Sequence, residues 1–166
     1  MNTDQLTVTG LLKAIEPLFG RIPDGDVMDV LAWMGRTPFP AFGEDEYSIY
    51  VPRKDLGFCL QFQDAEMVKH PSAEGKAPRT PIFTGCFFYP GGIEEYETFT
   101  GDLPAGITWT DTSTSLLNKL GAPKNEIMNK VKGTLKAHRW VSGALLLTAS
   151  YRNGGTSLHH VYIGIV

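Results

Sequence analysis

The sequence predicts an α+β fold built as two tandem units, each a helix followed by a three-stranded antiparallel meander. The units join into one antiparallel sheet with the helices on one face. Three observations carry this reading. The first is an internal repeat: Phe19-Gly20-Arg21-Ile22-Pro23-Asp24-Gly25 aligns with Thr100-Gly101-Asp102-Leu103-Pro104-Ala105-Gly106 at a constant offset of 81 residues. The second is a short helical pattern after each copy, ending in Gly and then Pro. The third is the set of three strand-like runs that follows each helix. A chain of 166 residues fits a single domain, 1–166, with pseudo-repeats at 9–90 and 98–166. At that length about 68–70% of the unfolded surface can be buried without metal or disulfide.

A helix is expected over 9–19, where Leu11, Leu12, Ile15 and Leu18 share a face. Val27, Val30, Leu31 and Met34 repeat that spacing, with Asp26 as an N-cap type, Gly35 suited to the left-handed position beyond the end, and Pro38 as a stop. Strands are expected over 47–51, 57–62 and 82–89, with the Pro-rich stretch 70–81 as a mobile hairpin loop. In the second unit Thr112 is the N-cap type, Leu116, Leu117 and Leu120 form the apolar face, and Gly121 and Pro123 end the helix. Gly35 and Gly121, like Gly57 and Gly143, stand 86 apart, which implies a five-residue insertion near 107–111. Strands then read over 137–141, 144–151 and 158–166, with a turn at Arg152-Asn153-Gly154-Gly155.

Period-two alternation assigns faces. Tyr47, Ile49, Val51, Phe58, Leu60, Phe62, Cys86, Phe88, Trp140, Leu145, Leu147, Ala149, Val161 and Ile163 point toward the helices. The uncovered face then carries Ser48, Tyr50, Cys59, Gln61, Phe87, Tyr89, Arg139, Val141, Leu146, Thr148, His160 and Tyr162. An uncovered antiparallel face is ordinarily polar. One rich in aromatics either stacks cross-strand pairs or serves as a contact surface.

Net charge of −3 with no basic stripe argues against a dedicated nucleic-acid binder. The longest apolar run, 143–149, is strand-sized, so neither a nucleic-acid nor a membrane partner is expected. Met1-Asn2-Thr3-Asp4-Gln5 lacks a secretory pattern, and two cysteines are too few for a disulfide scaffold, so a cytoplasmic setting is expected. Opposite faces for Cys59 and Cys86 argue against a bond between them. No dinucleotide fingerprint, phosphate loop, metalloprotease helix or nucleophile elbow occurs, so no cofactor and no catalytic residue is assigned. His159 and His160, as adjacent strand residues, are expected on opposite faces and therefore do not form a metal site. His70 and His138 have no carboxylate partner in the local sequence. Glu94, Glu95 and Glu97 form an acidic run interleaved with Tyr96 and followed by Phe99 and Trp109. That is the composition of an aromatic anchor with an acidic rim, which steers a basic partner.

The segment Gly101-Asp102-Leu103-Pro104-Ala105-Gly106-Ile107, the helix to Lys119-Leu120-Gly121-Ala122-Pro123, and Trp140 with its apolar strands resemble small bacterial immunity proteins that neutralise type VI-delivered toxins or bacteriocins. The helix-then-meander repeat also resembles the beta-lactamase inhibitor protein and the small outer-membrane assembly lipoprotein. The secretory signal, lipid-attachment cysteine and intra-unit disulfide of those secreted relatives are missing here. The resemblance implies a non-enzymatic protein that binds and occludes a cognate toxin. Partner contact is assigned to Tyr50, Gln61, Phe87, Tyr89, Glu94, Glu95, Tyr96, Glu97, Trp109, Arg139, His160 and Tyr162. The alternatives are a small ligand-binding or enzymatic domain using the open sheet face, and a secretion-system adaptor or chaperone.

Overall fold

In the computed structural model, which describes residues 6–166, seven antiparallel strands form one sheet accompanied by three α-helices. The N-terminal pentapeptide lies outside the described residues. In chain order the elements are α1 (Leu11–Ile15), α2 (Gly25–Trp33), β1 (Ser48–Arg53), β2 (Phe58–Asp64), β3 (Pro81–Phe88), α3 (Ser113–Leu120), β4 (Asn125–Met128), β5 (Leu135–Ser142), β6 (Leu145–Arg152) and β7 (Ser157–Ile165). The sheet order is β1-β2-β3-β7-β6-β5-β4. Two meanders therefore meet at a central β3–β7 pair, in register from Gly85↔Gly164 to Phe88↔Val161.

Six strands were expected and seven occur. The extra one, β4, has only four residues, too few for alternation to register. Its pairing with β5 defines it. The first helix is shorter than 9–19. Pro17 donates no backbone hydrogen bond and its ring crowds the carbonyl one turn earlier, so α1 gives way to a 3-10 turn over Glu16–Leu18. In α2 the capping position is Asp24, not Asp26. Asp26 sits in the first turn, 3.3 Å from the Arg21 guanidinium. Thr112 caps α3 as its side chain suggests, in a reciprocal box with Ser115.

One large core joins the helices to alternate strand residues. Leu11, Ile15, Leu18, Val27, Val30, Leu31, Met34 and Leu116 pack with Ile49, Val51, Phe58, Leu60, Phe62, Cys86, Phe88, Trp140, Ala149, Val161 and Ile163. Burying each Val, Leu, Ile, Phe or Met side chain among them contributes about 1.5–3 kcal/mol. Tyr47 departs from this pattern: it precedes β1 and is 49% exposed, beside the Arg79 guanidinium. That arginine also fastens the 70–81 loop, which the sequence reads as mobile. Its N–H donates to the buried Asp64 carboxylate at 3.0 Å, and its guanidinium donates to the carbonyl of Glu46 at 2.9 Å. The loop is thereby tied to the 43–46 turn.

The insertion near 107–111 serves the core as well. Ile107 is buried, and Asp111 accepts hydrogen bonds from the Thr108 N–H, the Ser115 hydroxyl and the Lys119 ammonium, each within 2.8 Å. Burial would push the Asp111 carboxyl up, but these donors outweigh it and hold the pKa at about 2.

Candidate interaction surface

The face opposite the large core is organised around one in-register row: Pro52, Cys59, Phe87, Tyr162, Thr148, Arg139 and Asn125, contributed by β1, β2, β3, β7, β6, β5 and β4. Phe87 is its centre. Its ring lies 4.6 Å from Tyr162, 5.5 Å from His160, 6.2 Å from Tyr50 and 6.5 Å from Tyr89. Offset and edge-on contacts at these distances each add about 0.5–1.5 kcal/mol beyond area burial. Tyr162 lies flat on the sheet because its cross-strand floor is a glycine pair. A Cβ at either Gly85 or Gly164 would collide with the Tyr162 phenol, whose hydroxyl donates to the Thr84 carbonyl at 3.3 Å.

Part of this face is roofed. After β3 the chain folds back as a strap, where Gly92 N–H donates to Tyr96 O and Tyr96 N–H to Ile93 O. Glu94 and Glu95 form its two-residue tip with φ of 49° and 66°, the left-handed pair that a tight hairpin turn requires. Ile93 and Tyr96 pack down on Cys59 and Tyr89 in a second, smaller apolar cluster. The Tyr89 and Tyr96 rings stack at 3.9 Å. Lys54 clamps the strap from outside, 2.9 Å from the Glu95 carboxylate and over the Tyr96 ring. Beneath the strap, burial pushes the Cys59 thiol up to about 11, so it is not a thiolate nucleophile at neutral pH.

Tyr50 is 55% exposed and the hydroxyl accepts from the Gln61 amide. Phe87, His160 and Tyr162 are half-buried, whereas Tyr89, Tyr96 and Gln61 are buried. These three support the surface and do not project from it. Glu94, Glu95 and Glu97 are exposed on the strap, and Arg139 is exposed in the central row. Trp109 does not belong to this surface: it packs against the helix-side core and donates to the Phe99 carbonyl at 2.8 Å.

The alternation rule misplaces His159, while His160 lies on the open face against Phe87 as expected. Ser150 pairs with His160 and Tyr151 with Leu158, leaving His159 as an extra, bulged residue. A bulge resets the alternation locally, and the two rings meet with Nδ1 atoms 2.8 Å apart. Burial, then His159 and Lys136, holds His160 down at about 4. Burial and Arg152 lower His159. The pair is therefore uncharged at neutral pH, with one ring donating to the other. Lys136 is a second bulge residue, between the Ile127↔Ala137 and Met128↔Leu135 pairs. His138 departs differently: it is buried, hydrogen-bonded to the Tyr151 hydroxyl at 3.1 Å, and 3.4 Å from Glu126 on the unforeseen β4. Among the described residues no group of three or more His, Cys, Asp or Glu is placed to hold a metal ion.

A further concavity of about 780 Å³ lies on the helix side, floored by Trp140, Leu145, Leu147 and Ile163, with Leu12 and Leu120 on its walls. Sequence alternation gave no sign of it, because it is a gap between the helices and the β5–β6 hairpin.

No protein-family model matches the sequence, and no curated protein matches it. Among solved structures, the chain is similar to a DUF4309 family protein (YjgB) from Bacillus subtilis subsp. subtilis str. 168, at 15% identity and a TM-score of 0.46. That match covers 84% of this chain and 77% of the other. Among the described residues no helix is long and apolar enough to cross a membrane.

Proposed function

We propose that this chain is a cytoplasmic, non-enzymatic immunity protein that binds a cognate secreted bacterial toxin and neutralises it by occlusion. The observation that carries the reading is the aromatic sheet face centred on Phe87, with exposed Tyr50 on one side and the Glu94–Glu95 tip standing above it. Aromatic groups with few rotamers desolvate a large area at low entropic cost, and rim carboxylates accelerate encounter with a basic partner. The resemblance to toxin-immunity proteins points the same way.

The reading includes a tandem origin for the two meanders. In its support, Gly25 and Gly106, Gly35 and Gly121, and Gly57 and Gly143 are matched pairs in which both members have positive φ. Gly57 and Gly143 each precede the second strand of a hairpin in their half.

The test is capture of secreted effectors from the source strain on the purified protein, followed by co-expression of any captured toxin. The expected result is protection by the wild-type protein, with Tyr50→Ala costing about 2 kcal/mol or more in affinity. Charge reversal of Glu94, Glu95 and Glu97 together should slow association at low salt with little effect at high salt. Protection that survives all four substitutions would move the contact to another surface. Turnover of a small molecule by the pure protein would replace the class.

A further inference from the structure

The net charge of −3 conceals two halves of opposite sign. Residues 1–102 contain 16 acidic and 8 basic side chains, whereas residues 103–166 contain 2 and 7. The sheet order then separates them, because β4 and β5 stand at the end farthest from β1 and β2. Lys124, Lys130, Lys132, Lys136 and Arg139 are all exposed at that end. From 119 to 139 the one carboxylate is Glu126, which faces His138.

The β4–β5 hairpin is also apolar at its extremity. Val131, between Lys130 and Lys132, is 95% exposed, and Met128 on the approach is 47% exposed. The turn is internally satisfied. The Asn129 side-chain oxygen accepts from the N–H groups of Val131 and Lys132, and its backbone carbonyl accepts from Gly133. Those three N–H groups thus have partners without water, and the same folding-back pushes Val131 outward.

We propose that this hairpin docks on an anionic bilayer surface, with Val131 entering the headgroup layer and the flanking lysines pairing with lipid phosphates. A cluster of four to eight cations near an anionic leaflet is the recognised electrostatic requirement, and an aliphatic tip supplies the partition component that electrostatics lacks. Single-stranded nucleic acid is a poorer match, since it is held by stacking on aromatic platforms and the exposed residues of 124–139 include none. An acidic protein would satisfy the lysines but calls for an aromatic or arginine anchor in place of a bare valine. The inference is independent of toxin binding. It revises the expectation of no membrane partner, which rested on whole-chain charge and the lack of a spanning segment.

The full chain is to be co-sedimented with vesicles of phosphatidylcholine containing about a third phosphatidylglycerol, and with pure phosphatidylcholine. Binding is expected to the anionic vesicles alone and to disappear at high salt. The double variant Lys130→Glu/Lys132→Glu should bind about tenfold or more weakly. Val131→Ser should bind several-fold more weakly with its salt dependence unchanged. All three positions are exposed, so thermal melts of the variants should match the wild type. The proposal is overturned if no binding to anionic vesicles is seen, if Val131→Ser binds as the wild type does, or if a single-stranded RNA oligonucleotide is bound more tightly than the vesicles.

Discussion

The two faces of the sheet both carry aromatic side chains, but they differ in aliphatic content and are packed by different means. In the large core, Phe58, Phe62, Phe83 and Phe88 have no exposed surface and pack with residues of α1, α2 and α3 and with the loop residues Phe19, Phe39 and Phe99. On the opposite face, Phe87, Tyr162 and His160 remain half-open, and the smaller Cys59–Tyr89–Ile93–Tyr96 cluster is roofed by one strap alone. A face covered by several elements resists local opening, whereas a face covered by one hairpin opens at a fraction of the global free energy. The contrast teaches that burial alone does not make a residue structural in the same sense on both sides.

The largest effect separating the faces is expected from Leu31→Ala, which removes a fully buried side chain and should destabilise by about 2–5 kcal/mol in chemical denaturation. A loss under about 1 kcal/mol would mean that the site collapses without a cavity. Leu117 is only partly buried, so Leu117→Ala should cost distinctly less. Next comes Gly164→Ala, whose new methyl meets the Tyr162 ring and the Thr84 carbonyl. A loss of about 1–3 kcal/mol, with a changed tyrosine fluorescence, would establish that the glycine pair seats that ring.

Asp111 sharpens the helix side through pH. Its folded pKa of about 2 lies below the ordinary value of 3.8, so the stabilisation is present above about pH 4 and is lost as pH falls toward about 2. The amount at stake is about 2 kcal/mol. Denaturation midpoints of wild type and Asp111→Asn should therefore converge at acid pH. Parallel midpoints across that range would remove Asp111 from the account.

The strap is tested by thiol access. In the native wild type, both Cys59 and Cys86 are buried and should alkylate slowly. Tyr96→Ala should expose Cys59 while Cys86, beneath the helices, stays protected. Equal exposure of both thiols would mean that the faces open together. The smallest effect belongs to Tyr50→Ala, which should change stability by about 1 kcal/mol or less, because the residue is 55% exposed and gives up a ring contact with Phe87 and the Gln61 hydrogen bond.

Much of the layout was legible because it is local. Strand positions agree to within about two residues where alternation is sustained, as in β2 and β6. Cys59 and Cys86 fall on opposite faces as period two requires. The exceptions come from long-range pairing, either as bulges or as a strand too short to register. Bulges at Thr84, Lys136 and His159 reset the alternation, and a bulge is chosen by neighbouring strands and not by the residue itself. Thus His159 joins His160, and His138 finds Glu126 across a strand too short to announce itself.

What the sequence by itself determined is the set of sustained periodic segments, the Thr112 cap and the glycine turns, and therefore the α+β class, since these depend on neighbours within a turn or a pleat. What only the tertiary structure decided is which of the aromatics remain available. Tyr89 and Tyr96 read from sequence as displayed anchors, yet the strap folds them over Cys59. Trp109 reads as a free insertion residue, yet it fills space beside Phe99. Even the charge balance changes meaning once folded, because a chain-wide sum is blind to a sheet order that carries the acidic half and the basic half to opposite ends. Long-range pairing settles these points, and its energy comes from contacts between residues that no local window contains.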